Sequence, residues 1–253
     1  PPLRRSARLA AMSATAEGGN YIDSPYCAFK AVTALSDDNG VPANLKEAMS
    51  ERHVQLWADP TAKECRSHLR NQTFLICDTP SGAKLINSMF IFDIKNLAAG
   101  QTKRKARFVA KGYSQVAGVH YHETFAPTLN PQTFRVVMAI SAQYSFHVEQ
   151  MDVETAFLIP DLPEEEQLYM RPPVGFADLC QKLNIPFRNG QSLKLKKCIY
   201  GLKQSGRYWN KKFVRALQKF GLQQSPYDCC LFVGGKTIND LIIVIFYVDD
   251  GLV

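Results

Sequence analysis

Residues 241–253 read LIIVIFYVDDGLV: eight consecutive apolar residues, Leu241 to Val248, run straight into Asp249 and Asp250. The run reads as a buried strand. Adjacent carboxylates at its end repel each other, so the pair needs either a solvated turn or a cation to offset the cost. Both readings are open on this stretch alone. Asp-Asp-Gly is ordinary turn chemistry after a β run. Hard divalent cations also take carboxylate oxygens, and such a site at a strand tip requires a further acidic residue from elsewhere in the chain.

Working outward, CCLFV (229–233) and the apolar run flank GGKTIND (234–240), whose Gly-Gly and Asn-Asp supply turn geometry. A hairpin is expected there, with Asp249 and Asp250 at the far end of its second strand. SGRYWNKKFVRALQKFG (205–221) has the period of an amphipathic helix closed by Gly221. VEQMDVETAFL (148–158) reads as a strand running into a turn, and PQTFRVVMAISAQYSFH (131–147) as a helix packed on a sheet. ARFVAKGY (106–113) is a further short strand. TFLICDT (73–79) and KLINSMFIFDIK (84–95), joined by Pro80-Ser81-Gly82, predict a second hairpin. Residues 44–71 are helix material, with Pro60 opening a second helix after a break. Residues 1–43 are rich in Ala, Ser, Gly, Asn and Asp without a sustained period, which predicts a flexible leader ahead of a domain spanning 44–253.

The hydrophobic share of 46% and charged share of 21% argue against disorder over most of the 253 residues. The net charge of +7 is clustered: Gln191 to Phe220 carries nine Lys or Arg and no Asp or Glu, and Gln101 to Gln115 carries five and none. Clustered cations are an electrostatic footprint for phosphate, although a solvated face is the ordinary use of a charge run. Seven cysteines without a CxxC pair read as reduced thiols of an intracellular protein. His120 and His122 have no cysteine at zinc spacing, which disfavours structural zinc. The longest apolar run is the eight residues Leu241 to Val248, too short for a spanning helix, so no membrane is expected. The opening PPLRRSARLAAMSA lacks the apolar core of a secretory signal, and its first residue is Pro rather than Met, a start made by processing or truncation.

Asp152, in QMDVETAF, is the candidate acidic partner for the Asp249-Asp250 pair, if its strand lies beside theirs. Convergent carboxylates can hold two divalent ions about 3.5–4 Å apart, as phosphoryl transfer requires. A lone Asp at a strand end is also an ordinary cap residue.

The motifs KARFVAKGYSQ, ETFAPTLNPQTFR, QMDVETAFL, LYMRPPVGF, CIYGLKQSGRYWN and FYVDD occur in that order. Together they resemble the reverse transcriptase of copia-type retrotransposons, over about residues 44 to 253. The resemblance implies an α+β fold: a right-hand polymerase of fingers and palm with an antiparallel palm sheet, truncated before the thumb. It implies an RNA-directed DNA polymerase acting on an RNA or DNA primer-template with deoxynucleoside triphosphates (dNTPs) and Mg²⁺ or Mn²⁺. Other segments of a polyprotein are implied partners, and a cytoplasmic particle or the nucleus is the implied location.

Carried over residue by residue, the resemblance places metal ligands at Asp152 and Asp249, with Asp250 beside them and the Val153 carbonyl as a further oxygen. Phe157 falls at an aromatic gate against a ribose 2′-hydroxyl, or is a core aromatic. Gln204 matches a position touching the incoming nucleotide, with Lys203 and Arg207 beside it. Arg107, with Lys105 and Lys111, is the candidate for the triphosphate. Lys196, Lys197, Arg207, Trp209, Lys211 and Lys212 are candidates for nucleic acid, with Tyr208 and Trp209 either stacking on bases or buried in a core. The sequence departs from the family pattern at Ile159-Pro160-Asp161, at Gly206 where Pro is common, and at Asp93 where a basic residue is usual. Two rivals remain: an inactive transposon remnant with residual nucleic-acid binding, and a two-metal nuclease, which explains neither Phe157 nor Gln204.

Overall fold

The computed structural model describes residues 40–96 and 101–253, so the expected leader lies outside the described residues except for 40–43. In chain order the elements are α1 (Leu45–Ala48), α2 (Val54–Arg70), β1 (Phe74–Asp78), β2 (Leu85–Ile86), β3 (Ser88–Asn96) and β4 (Thr102–Ala110). Then come α3 (Pro131–Gln143), β5 (Gln150–Asp152), β6 (Tyr169–Met170), α4 (Phe176–Lys182), β7 (Gln191–Leu195) and α5 (Ser205–Lys219). The chain closes with β8 (Gln223–Gln224), β9 (Leu231–Gly234), β10 (Ile242–Tyr247) and β11 (Asp250–Leu252). It is a mixed helix-and-sheet fold with largely antiparallel pairing. The described residues divide into two compact units, one formed by 125–156 and 206–253, the other by 40–96, 101–124 and 157–205.

The first unit is one antiparallel sheet, order β5-β11-β10-β9-β8. The predicted β9–β10 hairpin forms, pairing Leu231 with Ile245 and Gly234 with Ile242. Strand alternation puts Phe246, Gly251 and Met151 on one face; a Cβ on Gly251 would meet Met151 Cε at 3.0 Å and Phe246 Cβ at 3.7 Å. Helix α5 covers that face, the Phe213 ring standing edge-on to Phe246 with centroids 4.9 Å apart. Leu217, Leu222, Phe232 and Val244 extend the core. The spacing 209, 213, 217 makes the apolar stripe of α5, and each large side chain buried from it contributes about 1.5–3 kcal/mol.

Gly221 does close α5, at φ +85°, with Leu222 N–H donating to Leu217 O (3.2 Å) and Gly221 N–H to Gln218 O (3.0 Å). That pair of bonds satisfies the last carbonyls, and the left-handed residue costs little because it is Gly. Helix α3 opens at Pro131 under an Asn130 cap, whose side chain accepts from Gln132 N–H at 2.9 Å. It stops at Gln143, short of the predicted 147, because Ser145 turns left-handed (φ +53°) and Phe146 N–H bonds back to Ser141 O at 2.9 Å.

The second unit carries a four-stranded sheet, order β1-β7-β6-β2, and the β3–β4 hairpin. The expected hairpin between 73–79 and 84–95 does not form. The chain does turn there, with Ala83 N–H donating to Pro80 O at 3.1 Å, but β1 pairs with β7 from Phe74↔Leu195 to Asp78↔Gln191. Strand β2 runs parallel to β6, and β3 pairs with β4 from Ser88↔Ala110 to Asn96↔Thr102. The apolar pattern explains this choice: Phe90 and Phe92 alternate onto the same face as Ala106 and Phe108, and the Phe90 and Phe108 rings stack at 5.0 Å. The second correction concerns Pro60, which lies inside α2. The break falls earlier, between α1 and α2, and α2 runs through the proline while burying Trp57, Thr61, Cys65 and His68 at three- and four-residue spacing.

Candidate functional site

The carboxylates lie at one end of the first unit's sheet. Asp250 is the direct ladder partner of Asp152 on β5. Val153 N–H donates to Asp249 O at 3.0 Å, and four residues further along the ladder Glu149 and Val253 exchange both of their backbone bonds. That alternation makes Asp152–Asp250 a non-hydrogen-bonded pair, the kind whose α-carbons approach to about 4.5 Å and whose side chains share one face. The Val153–Asp249 bond holds the α-carbons of 152 and 249 within about 8 Å of each other. Like charges directly opposite on a sheet face are destabilising, so the pairing has a cost that a cation would offset. Asp152 is exposed, Asp249 half-buried and Asp250 buried. Among the described residues, no three His, Cys, Asp or Glu side chains are already drawn into one ligand cluster.

Asp249 sits in the two-residue turn between β10 and β11, preceded by Val248 at φ +62°. A β-branched residue in the left-handed region is strained, at a cost of order 1–3 kcal/mol, and persists only where the surroundings over-determine it. Two bonds do so: Trp209 Nε1–H donates to Val248 O at 2.6 Å, and Val153 N–H to Asp249 O. Trp209, expected among the nucleic-acid contacts, is 4% exposed and stacked on Phe213 at 5.2 Å. It therefore packs in the core and pins the turn, which its place in the 209/213/217 stripe foretold and its basic neighbours obscured.

The basic residues of α5 lie on the side of the helix away from that stripe. Lys211 and Lys212 are exposed and Arg207 half-buried. Since α5 covers the Phe246 face, and Tyr247, Asp250 and Asp152 alternate to the other, helix and carboxylates occupy opposite faces of the sheet.

The remaining candidates belong to the second unit. Lys103, Lys105 and Arg107 alternate on β4 opposite its Ala106 and Phe108 face, beside Lys95 and Asp93 of β3. Burial first, then the Arg107 and Lys95 charges, pushes the Lys105 ammonium below its ordinary range. Glu64 partly offsets this, and Asp93 is the ladder partner of Lys105. Lys111 anchors the end of the hairpin through its N–H to Asn87 O (2.7 Å). Lys203 places Nζ 4.9 Å from the Tyr121 ring centroid and 3.1 Å from Tyr121 Oη.

Gln204 is fully buried, and its side chain is committed within the protein. Its Nε2 donates to His120 O (2.8 Å) and Glu166 Oε2 (3.0 Å), while its Oε1 accepts from Gln115 Nε2 (2.9 Å). Gln115 in turn accepts from Lys203 N–H at 2.8 Å. The sequence reading missed Gln115 and Glu166, for nothing in their local pattern marks partners so distant in sequence. Phe157 is 5% exposed, with its ring perpendicular to Tyr200 at 5.3 Å. Lys196 is exposed, and Lys196 and Lys197 both donate backbone N–H to Thr73 O, at 2.8 and 3.1 Å.

The opposed carboxylates stand at one end of the first unit's sheet, and the basic residues of β4 in the second unit. Comparison with known proteins gives the family. Residues 71–253 match the family described as Reverse transcriptase (RNA-dependent DNA polymerase). The chain is 31% identical over 253 residues, all of its length, to the Retrovirus-related Pol polyprotein from transposon TNT 1-94 of Nicotiana tabacum, covering 18% of that protein. It is 34% identical over 201 residues, 78% of its length, to the Retrovirus-related Pol polyprotein from transposon RE1 of Arabidopsis thaliana, covering 13% of it. With the Transposon Ty1-BL Gag-Pol polyprotein of Saccharomyces cerevisiae it shares 30% identity over 168 residues, 66% of this chain and 8% of that one. The chain belongs to the reverse transcriptase family of copia-type retrotransposons, and spans less than a fifth of the length of each of these relatives.

Proposed function

We propose that this chain is the fingers and palm region, 44–253, of an RNA-directed DNA polymerase, with the carboxylate-bearing unit as palm and the other as fingers. The observation that carries this reading is the non-hydrogen-bonded pairing of Asp152 with Asp250, beside Asp249 in a strained turn. The donor set suits hard divalent cations, Mg²⁺ or Mn²⁺: carboxylates at 152, 249 and 250, with the Val153 carbonyl beside them. When bound, such ions neutralise charge as a primer 3′-hydroxyl attacks the α-phosphate of a dNTP and pyrophosphate leaves.

The protein's own residues supply position and charge. Trp209 and Val153 fix the turn that presents Asp249. Arg107 and Lys105, with Lys111, meet the triphosphate, an anion that would relieve the depressed Lys105 ammonium. By the family resemblance, Lys203 and Gln204 are assigned to the incoming nucleotide, Phe157 to exclusion of a 2′-hydroxyl, and Lys196 and Lys197 to the primer-template. The site works inside a cell, as one segment of a transposon polyprotein.

The test is Mg²⁺-dependent dNTP incorporation on a primed RNA template, measured in the polyprotein that contains this segment. Asp249→Asn keeps the shape, loses the charge, and should lower incorporation at least about a hundredfold. Phe157→Ala should retain incorporation and admit ribonucleotides. Wild-type rates in Asp249→Asn would overturn the catalytic assignment, and intact sugar discrimination in Phe157→Ala would make Phe157 a core residue only.

A further inference from the structure

Between α4 and β7 the chain runs Phe187-Arg188-Asn189-Gly190-Gln191. Gln191 N–H donates to Arg188 O at 3.2 Å, so Asn189 and Gly190 are the central residues of a tight turn, with Gly190 at φ +91°. Both are exposed. An asparagine before a glycine is open to attack on its side chain by the next backbone nitrogen, because glycine has no Cβ to shield that nitrogen. The space here is clear: a Cβ built on Gly190 would meet no atom within 4 Å. Among the described residues nothing hydrogen-bonds to the Asn189 carboxamide or to the Gly190 N–H, so neither reacting group has a bond to break first. We propose that Asn189 is a site of spontaneous modification, at which the folded protein loses an amide and gains aspartate or isoaspartate.

The step needs water and nothing else. The Gly190 nitrogen gives up its proton and bonds to Asn189 Cγ, and the Cγ–Nδ2 bond breaks to release ammonia and leave a cyclic imide. Water then opens one of the two imide C–N bonds. One opening restores the ordinary backbone with an aspartate at 189; the other routes the chain through the side chain as isoaspartate. The peptide plane must first rotate to bring the nitrogen to Cγ, and a surface turn closed by one backbone bond of 3.2 Å lets it do so. The surroundings make the product consequential. Arg188 Nη2 donates to Asp78 Oδ1 at 3.2 Å, Gln191 Nε2 to the same oxygen at 3.1 Å, and Thr79 Oγ1 to Gly190 O at 2.9 Å. Those bonds tie the turn to the end of β1, where Asp78 pairs with Gln191. Isoaspartate lengthens the turn's backbone and moves Gly190 O away from Thr79, while the new carboxylate competes with Asp78 for the Arg188 guanidinium. Asn44, Asn71 and Asn130 are held by contrast: Asn44 accepts from Glu47 N–H at 3.0 Å, Asn130 from Gln132 N–H at 2.9 Å, and Asn71 Nδ2 donates to Ser67 O at 2.8 Å. The inference is independent of the catalytic reading, since it needs neither metal nor nucleotide.

The experiment incubates the purified chain at neutral and at alkaline pH for days to weeks, with a urea-unfolded sample alongside. Each asparagine peptide is then quantified by mass spectrometry, using fragmentation that separates aspartate from isoaspartate. In the folded chain Asn189 should convert at least about tenfold faster than Asn44, Asn71 or Asn130, whose carboxamides must first leave their partners. Conversion should be faster at the alkaline pH, where the attacking nitrogen loses its proton more readily, and isoaspartate should appear with the aspartate, as the imide route requires. Asn39, the chain's other asparagine before a glycine, lies outside the described residues and is read as its own peptide. Aged wild type should melt below the fresh protein, and Asn189→Gln aged beside it should keep its melting temperature. Equal rates at Asn189 and the three held asparagines, conversion of Asn189 only in urea, or aspartate without isoaspartate would each overturn the proposal. An equal loss of melting temperature in aged Asn189→Gln would overturn the stated consequence for the β1–β7 end.

Discussion

Cysteine chemistry separates by burial. Cys65, Cys198 and Cys230 have thiols pushed by burial from an ordinary 9.0 up to about 12, and Cys180 to about 11. Cys229 is exposed, next to a neighbour that is not. At pH 8 iodoacetamide should therefore label Cys229 first, while those four stay unmodified, as peptide mass spectrometry would show. The raised values also set a sign for stability. Above about pH 9 the unfolded chain's thiols ionise while the folded ones do not, so stability is full below that point and falls as pH rises toward 12. Fast native labelling of Cys230, or a melting temperature that climbs above pH 9, would contradict this. Single residues were also where sequence reading faltered. Trp209 was set among its basic neighbours, whereas helical phase decides its place; Gln204 was assigned from its motif, which does not show the partners 38 to 89 residues away that hold its side chain.

Among the elements, the β10–β11 hairpin carries the most consequence. Its turn leaves only Val248 and Asp249 between the paired Tyr247 and Asp250, and Val248 pays with a positive φ. Val248→Gly removes the strain and adds unfolded-chain entropy, for a net stabilisation of about 1 kcal/mol, or about 2–4 °C in Tm. Incorporation should nevertheless fall, because a glycine turn holds Asp249 less rigidly. A destabilised variant would show that Val248 is not strained. The β9–β10 hairpin and α5 were legible because periodicity and turn chemistry are local. The pairing of β1 with β7 was not, since a strand's pattern states that it needs a partner without saying which. The Pro80-Ser81-Gly82 turn was real, but the strands around it served different neighbours.

For the molecule as a whole, six motifs in order made the family legible before any geometry. The register that sets Asp152 against Asp250 was not, because a one-residue slip would carry β5's side chains to the other face and no local signal fixes it. The central claim is that this opposed pair exists to hold a divalent cation. Its most direct test is thermal melting of the chain against Mg²⁺, with ionic strength matched by NaCl. The wild type should gain about 1.4 kcal/mol at a Mg²⁺ concentration ten times its Kd. Asp152→Asn should melt above the wild type without Mg²⁺, by a few tenths to about 1 kcal/mol, and should lose the Mg²⁺ response. Wild-type dependence on Mg²⁺ in Asp152→Asn, or a variant less stable than wild type in Mg²⁺-free buffer, would contradict the account.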